Sequence, residues 1–141
     1  MNKRILFLCT GNSSRSQMAE GLTRHYLGKY FEVFSAGTKP KDIDDHAIKT
    51  MAEIGIDIAA QNSKSVDRLI SEKFDLVLTL CDEAKESCPV FPGNAEIVHL
   101  GFKDPVDAVG RDEEILEVFR QVRNDIQERL LGYLEEKFSL V

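Results

Sequence analysis

The residues best suited to chemistry lie in one stretch near the amino terminus, LFLCTGNSSRS, at positions 6–16. Cys9 and Arg15 bracket five residues, which include Gly11 and Asn12. Glycine permits backbone conformations that other residues avoid, and asparagine tolerates left-handed geometry. Such a loop can turn its backbone N–H groups inward as a nest for an anion. The planar arginine side chain matches two oxygens of a tetrahedral oxyanion.

The same loop could activate a sulfur nucleophile. The start of the following helix adds unpaired N–H groups and the positive end of its dipole. We expect this field, together with Arg15, to lower the pKa of Cys9 and favour the thiolate. The stretch therefore predicts a cradle for a phosphate-like dianion with Cys9 at its base. The expected binding residues are Thr10, Gly11, Asn12, Ser13, Ser14, Arg15 and Ser16.

A structural interpretation of the cysteine competes with the chemical one. A cysteine at a strand end is more often a small buried apolar residue, and a cysteine followed six positions later by an arginine is a weak signal by itself. Its placement between a buried strand and a helix start, with Gly11 and Asn12 inside, favours the anion site. The sequence lacks the G-x-G-x-x-G pattern of dinucleotide sites and the lysine motif of P-loops.

The apolar pattern predicts the elements that would position this loop. Continuous apolar runs are typical of strands buried on both faces. The predicted strands are 5–8, 32–35, 75–80 and 96–100. The predicted helices are 17–30, 45–54, a short one at 65–71 and a long one that begins at Asp112. Alternating strands and helices indicate a three-layer α/β fold, a four-stranded parallel sheet with helices on both faces, in a single domain over residues 1–141.

This fold class can bring all three cysteines of the chain to one place. Cys9 follows the first strand and Cys81 follows the strand at 75–80, and ligands of open parallel sheets sit at the carboxyl ends of the strands. Cys88 comes seven residues after Cys81. We interpret the three as thiols kept for chemistry. Cys81 and Cys88 could instead be core residues or metal ligands, but zinc sites prefer closer cysteine pairs.

The composition argues against several classes of protein. Eighteen Lys and Arg against 24 Asp and Glu give a net charge of −6, which disfavours nucleic acid and anionic membranes as partners. No apolar run approaches the roughly 20 residues of a membrane span, and the first residues are too quickly polar for a signal peptide. An odd number of cysteines then indicates a reducing cytoplasm. We expect no metal site, because no ligand spacing links His25, His46 and His99.

The stretch CTGNSSRSQMAEG at 9–21 resembles the phosphate-binding loop of the low-molecular-weight protein tyrosine phosphatase fold. More narrowly, the chain resembles the thioredoxin-coupled arsenate reductases built on that fold. The resemblance continues through YFEVFSAGT (30–38), IGIDI (54–58), DLVLTLCDEAKESCP (75–89) and HLGFKDP (99–105). Phosphatases of the fold commonly carry an aromatic residue where this chain has Val106, and they lack a pair like Cys81 and Cys88. Many relatives carry a cysteine where this chain has Ser14.

The resemblance implies that the protein reduces arsenate to arsenite, in arsenic detoxification. Cys9 would attack arsenate and form a covalent adduct, while Asp104 protonates the departing oxygen. Cys81 would then attack Cys9 and release arsenite, and Cys88 would attack Cys81. External thioredoxin would reduce the Cys81–Cys88 disulfide. No cofactor would be bound, phosphate and sulfate would act as analogues of arsenate, and the protein would be a cytoplasmic monomer.

Alternatives remain for the acid and for the function. Asp104 could only cap the turn before Pro105, and Asp107 is the nearest substitute as an acid. A phosphatase acting on tyrosine or small phosphomonoesters is the second function, retained otherwise as a weak side activity. A thiol-redox sensor that signals through its disulfide is the third.

Some relatives resemble this chain in Asn12, Glu20 and Ser35 and hold a potassium ion beside the loop, helped by an aspartate. Lys64 occupies the place of that aspartate here. We expect the Lys64 ammonium to replace the ion and brace the loop. The alternative is a solvated surface lysine.

The segment 82–87 contains good helix formers, and Pro89 ends it. A continuous helix from Cys81 to Cys88 would separate their Cα atoms by about 10 Å along the axis. A disulfide needs Cα atoms about 4.4–6.8 Å apart. The segment is therefore either a loop in the reduced protein or a helix that unwinds when the disulfide forms, and we favour unwinding.

Overall fold

The computed structural model describes residues 2–140 of the 141-residue chain. A sheet forms its centre, with strands β1 (Lys3–Cys9), β2 (Phe31–Gly37), β3 (Leu76–Thr79) and β4 (Glu96–His99). All three strand pairings are parallel, and the order across the sheet is β2-β1-β3-β4. The predicted four-stranded parallel α/β architecture is confirmed.

Helices fill most of the connections between the strands. They are α1 (Arg15–Leu27), α2 (Asp45–Ala52), α3 (Asp82–Glu86) and α4 (Asp112–Lys137), with single 3₁₀ turns at Val66–Leu69 and Pro105–Asp107. The short helix predicted at 65–71 is the first of these turns. The helix predicted from residue 17 begins two residues earlier, so Arg15 lies in its first turn.

Strand β1 is the centre of the core. Its residues Ile5, Leu6, Phe7 and Leu8 are all fully buried. Successive side chains of a strand point to opposite faces, so burial of all four means that both faces of the sheet are covered here. Helix α4 packs on α1 and α2 through an apolar stripe that repeats every three or four residues, as predicted.

The sheet carries the predicted site to one edge. Leu8 of β1 pairs in register with Thr79 of β3, so Cys9 and Cys81 follow adjacent strands at the same carboxyl end. Phe34 and its neighbours on β2 flank β1 on the other side, with Cys9 opposite Gly37. No helix within the described range is both long and apolar enough to cross a bilayer.

Candidate active site

The loop between β1 and α1 is held by the side chain of Asn12. This residue is fully buried and has a left-handed backbone, with φ of 47°. Its amide nitrogen donates to Ser16 Oγ at 2.8 Å and to Ser35 Oγ at 3.0 Å. Its amide oxygen accepts from the backbone N–H of Lys64 at 2.9 Å. The loop is thus tied to α1, to β2 and to the chain that precedes the first 3₁₀ turn.

Gly37, the last residue of β2, allows a close approach to the loop. A Cβ at this position would lie 2.5 Å from the carbonyl oxygen of Thr10 and 2.9 Å from the nitrogen of Asn12. The next residue, Thr38, donates its backbone N–H to the Cys9 carbonyl at 3.1 Å. A side chain at Gly37 would displace the loop backbone, so the glycine is required by contact rather than by φ.

Cys9 lies at the base of the loop, 2% exposed. Its sulfur is 2.9 Å from Ser16 Oγ, and the backbone N–H groups of Asn12 and Ser16 also point at it. Burial raises the pKa of the Cys9 thiol, while these hydrogen bonds and the charge of Arg15 lower it less strongly. The prediction of a lowered pKa is therefore wrong. The lowering contacts are present, but desolvation outweighs them.

Arg15 is buried and its guanidinium is held by the segment after β4. Its Nη1 donates to the Phe102 carbonyl at 3.2 Å and its Nη2 donates to Asp104 Oδ2 at 3.1 Å. The other oxygen of Asp104 accepts from the backbone N–H of Val106 at 3.0 Å. Asp104 thus caps a turn and also faces the cradle, so the two interpretations of this residue are compatible. Asp107 is exposed and does not line the cavity.

A small cavity of about 120 Å³ lies above the Cys9 sulfur. Its walls are Cys9, Thr10, Gly11, Ser13, Ser14, Arg15, Lys41, Asp104 and Val106. The volume is that of about four water molecules in the liquid, which suits one tetrahedral oxyanion. Asn12 and Ser16, both predicted as binding residues, are fully buried behind the loop and support it.

Two further residues line these walls: Lys41 was outside the sequence prediction, whereas Val106 was singled out there as a non-aromatic residue. Lys41, from the segment between β2 and α2, contributes a cation, and Val106 contributes an exposed apolar side chain. No periodicity or motif marks Lys41, because only the fold brings it to the loop. Within the loop, Ser14 is 3% exposed, and its hydroxyl has no hydrogen-bond partner among the described residues.

The other two cysteines lie at the two ends of α3, Cys81 directly before it and Cys88 two residues after it. All three are free thiols. Cys81 is buried, and its sulfur lies 3.3 Å from the hydroxyl of Thr10 and accepts from the N–H of Ala84 at 3.5 Å. Cys88 is half-buried, and burial raises the pKa of its thiol. Residues 82–86 between the two cysteines form α3. Because the cysteines are free thiols here, this part of the segment is helical in the reduced protein.

Helix α3 is attached mainly by polar contacts. The Thr38 hydroxyl donates to both carboxylate oxygens of Glu83, at 2.5 and 2.9 Å. His99 Nε2 lies 3.3 Å from Asp82 Oδ1 at the start of the helix. Ala84 is the one buried residue of α3. A short helix with one apolar anchor and exposed charges is inexpensive to open locally.

Lys64 lies behind the loop, near the residues predicted to surround a cation. Its ammonium donates to the carbonyls of Ser35 and Asn62, each at 2.7 Å. Glu20 accepts from Ser35 Oγ at 2.5 Å and pairs with Arg24 at 2.6 Å. Burial lowers the pKa of Lys64, and the negative charge of Glu20 opposes this shift. Substitution of this ammonium for an ion stays a prediction.

Across residues 2–140, no group of three or more His, Cys, Asp or Glu side chains is arranged to hold a metal ion.

Comparison with known sequences gives the relationships of the chain. Residues 4–138 match the family described as Low molecular weight phosphotyrosine protein phosphatase. An arsenate reductase of Halalkalibacterium halodurans is 50% identical over 136 residues, which cover 96% of this chain and 98% of the relative. An arsenate reductase of Bacillus subtilis is 46% identical over 134 residues, which cover 95% of this chain and 96% of the relative.

Solved structures show the same relationships. The structure of an arsenate reductase in the phosphate-binding state matches with a TM-score of 0.75 and 31% identity, covering 95% of this chain and 98% of the other. An arsenate reductase in the oxidized state matches with a TM-score of 0.76 and 34% identity, covering 92% and 95%.

Proposed function

The chain belongs to the low molecular weight phosphotyrosine protein phosphatase family, and we propose that within it this protein reduces arsenate to arsenite with its three thiols. One observation carries the proposal. The Cys81 sulfur lies 3.3 Å from the hydroxyl of Thr10, the residue next to Cys9, and Cys88 follows at the far end of α3. A phosphatase needs one thiol at this site, whereas the two-electron reduction of arsenic needs at least two.

Binding and the first covalent step use the cradle. The loop N–H groups and Arg15 hold the oxyanion, the Cys9 thiol gives its proton to an oxygen of the bound dianion, and the resulting thiolate attacks arsenic. A sulfur–arsenic bond forms while an arsenic–oxygen bond breaks. The oxygen leaves as water with a proton supplied through Asp104, which is held at the cavity by Arg15. Arsenic is still As(V) in this adduct.

The reduction takes place in the second step. The Cys81 thiolate attacks the Cys9 sulfur, a disulfide forms, and the electron pair of the sulfur–arsenic bond stays on arsenic, which leaves as arsenite. The two thiols lose the two electrons that arsenic gains. Cys88 then attacks Cys81, which restores Cys9 and leaves a Cys81–Cys88 disulfide. We expect α3 to unwind in this last exchange, because Cys81 and Cys88 lie beyond its opposite ends.

The remaining parts of the proposal rest on the sequence resemblance. Thioredoxin is the external dithiol that reduces the Cys81–Cys88 disulfide, and no cofactor is bound. Phosphate and sulfate act as analogues of arsenate, and the protein works as a monomer in the cytoplasm. The exposed edge of α3 supports a protein reductant, since unwinding would carry the disulfide away from the cavity.

A weak phosphatase activity is the second candidate, and the family itself favours it. The cavity would accept a phosphate monoester head group, but its mouth carries Val106 and no aromatic side chain among the described lining residues. Such a ring would stack against a phenol, so tyrosine phosphates should be poor substrates.

A paired assay tests the function. Arsenite release is measured with a thioredoxin system and with a glutathione–glutaredoxin system, and phosphate release from p-nitrophenyl phosphate is measured beside it. Arsenite release that needs thioredoxin supports the proposal. Fast phosphate release that is indifferent to Cys81→Ser, without arsenite release, would make the protein a phosphatase. A reversible disulfide with neither activity would leave the redox sensor.

A further inference from the structure

The catalytic cavity contains a cation that neither the loop motif nor the thiol relay uses. Lys41 lies between β2 and α2 and lines the cavity together with Cys9, Arg15 and Asp104. Its backbone N–H donates to the Gly11 carbonyl at 2.9 Å, which fixes the residue against the loop. The position of Lys41 is therefore set by the same loop that forms the anion nest.

The side chain of Lys41 lies across the loop. A Cβ placed on Gly11 would be 3.1 Å from Lys41 Cε and 3.4 Å from its Cγ. The aliphatic stem therefore covers Gly11, and Lys41 is part of the cavity lining. Within the described chain, the Lys41 ammonium forms no ion pair with a carboxylate, so its charge is available to a ligand.

The charge of the site shows why a second cation matters. Arg15 is paired with Asp104 at 3.1 Å, so the two side chains together contribute little net charge. The Cys9 thiolate adds one negative charge when it forms, and the whole chain has a net charge of −6. The loop N–H groups and the start of α1 attract a dianion here, and a further cation in the wall would offset the remaining negative charge. Lys41 lines the cavity and can supply this further positive charge.

The size of the cavity gives the same side chain a second effect. The volume of about 120 Å³ accommodates one tetrahedral oxyanion and little else. An ester group on that oxyanion would have to share the cavity with the Lys41 stem and Val106, which are both part of its lining. A bare oxyanion leaves all its oxygens free for the loop and for Lys41, whereas an ester loses one acceptor and meets the stem.

We propose that Lys41 is a second substrate-binding cation, which contacts the outer oxygens of the oxyanion and selects unsubstituted arsenate or phosphate over phosphate esters. This inference rests on the proposed function, because it names the part of that site that determines the substrate. Lys41 binds and selects; the thiol chemistry does not pass through it.

Three variants test the inference. Lys41→Ala removes the charge and the stem, and Lys41→Arg keeps the charge. Lys39→Ala is the matched control: Lys39 is exposed, its backbone N–H also donates to the loop, at the Thr10 carbonyl, and its side chain does not line the cavity. Both alanine variants remove one positive charge. Their melting temperatures should equal that of the wild type, since both side chains are exposed.

Titration calorimetry with inorganic phosphate measures binding without turnover. We expect Lys41→Ala to raise the Kd for phosphate about tenfold, the loss of one charge-assisted hydrogen bond. Lys41→Arg should stay within about threefold of the wild type and Lys39→Ala within about twofold, since only the alanine at 41 removes a contact. In arsenate turnover the same change should appear in KM with kcat nearly unchanged. Activity on p-nitrophenyl phosphate should fall less than activity on arsenate.

The outcomes separate this inference from the proposed function. If Lys41→Ala and Lys39→Ala raised the Kd for phosphate equally, the effect would come from the overall charge of this surface and not from a contact of Lys41. That result would overturn the proposed role of Lys41. A wild type that releases arsenite, with phosphate bound equally well by Lys41→Ala, would refute the inference and leave the function intact. If phosphate binding depends on Lys41 but the protein releases no arsenite, the binding role of Lys41 stands and the proposed function is refuted. Equal losses on arsenate and on the ester would remove the selectivity.

Discussion

The hydroxyl of Thr10 lies 3.3 Å from the sulfur of Cys81, although 71 positions separate the two residues in the chain. Thr10 directly follows Cys9, and the parallel pairing of β1 with β3 brings the ends of the two strands together. The Cys81 thiol, which follows β3, is therefore next to the residue that adjoins Cys9. In the proposed relay, this proximity would serve the first transfer, and opening of α3 would serve the second.

The thiol relay gives the first prediction. Cys9→Ser should abolish both arsenate reduction and phosphate ester hydrolysis, because both begin with attack by this sulfur. Cys81→Ser and Cys88→Ser should abolish reduction alone, since hydrolysis does not use them. Arsenite release with thioredoxin and phosphate release from p-nitrophenyl phosphate are the two measurements. Robust arsenate turnover by Cys88→Ser with thioredoxin would contradict the relay.

The second prediction concerns α3 in the two redox states. Amide hydrogen exchange across residues 81–92 should be slow in the reduced protein and fast once Cys81 and Cys88 form a disulfide, because a helix and this disulfide exclude each other. Exchange followed by mass spectrometry separates the two states. Helix α1, which the disulfide does not touch, is the internal control. Equal protection of residues 81–92 in both states would refute unwinding.

The third prediction tests the contact that holds α3 in the reduced protein. Thr38→Val removes the hydroxyl that donates to Glu83 at 2.5 and 2.9 Å and leaves a side chain of similar size. Loss of this hydrogen bond to a carboxylate should lower the free energy of opening α3 by about 1.5 kcal/mol. Exchange of the α3 amides should then be about tenfold faster. Hydrolysis of p-nitrophenyl phosphate should stay near the wild-type rate. Unchanged α3 exchange in Thr38→Val would show that the bond does not hold the helix.

The fourth prediction concerns potassium. The Lys64 ammonium donates to two backbone carbonyls behind the loop, so the melting temperature and the turnover should not change when sodium is replaced by potassium at fixed ionic strength. Lys64→Asp removes this cation and adds a carboxylate, so this variant should gain a potassium-specific stabilisation. A clear potassium-specific stabilisation of the wild type would count against substitution of the ion by Lys64.

The fifth prediction follows from the pKa of Cys9. In a Cys81→Ser, Cys88→Ser background Cys9 is the only thiol, so the pH dependence of its alkylation reports its ionisation. Burial raises its pKa, so the rate should still be rising above pH 9, the ordinary range of a thiol. Ser16→Ala removes a hydrogen bond that favours the thiolate, and the alkylation profile should move to higher pH. Movement of the profile to lower pH in Ser16→Ala would contradict this account.

The strands were predictable because residues buried on both faces of a parallel sheet leave continuous apolar runs, as at residues 5–8. The start of α1 was misplaced by two residues, since Arg15 and Ser16 show no apolar periodicity. The anion-binding loop could be predicted because Cys9 and Arg15 lie only six positions apart in the sequence. Lys41 was not, because its approach to Gly11 arises only when β2 packs against β1.

The direction of the Cys9 pKa shift has a similar explanation. The groups that lower it, Arg15 and the loop N–H groups, are local and can be read from sequence spacing. The desolvation that raises it comes from the packing of β1, β2 and α1 around the sulfur, and no local pattern reports how completely a side chain will be enclosed. The sequence therefore predicted the contacts that lower the pKa of Cys9 and missed the desolvation that raises it.

The buried hydroxyl of Ser14 bears on how the protein would respond to peroxide. A Cys9 sulfenic acid can condense with a neighbouring thiol, and residues 10–16 of the loop contain no cysteine. The other thiols of the chain are Cys81 and Cys88. We expect Cys81 to condense with the sulfenic acid, which forms a Cys9–Cys81 disulfide and releases water. Exchange with Cys88 would then give the Cys81–Cys88 disulfide that also ends arsenate reduction. Rescue from oxidative damage and detoxification would then compete for one reductant, and a cell under both stresses would have to share it between them.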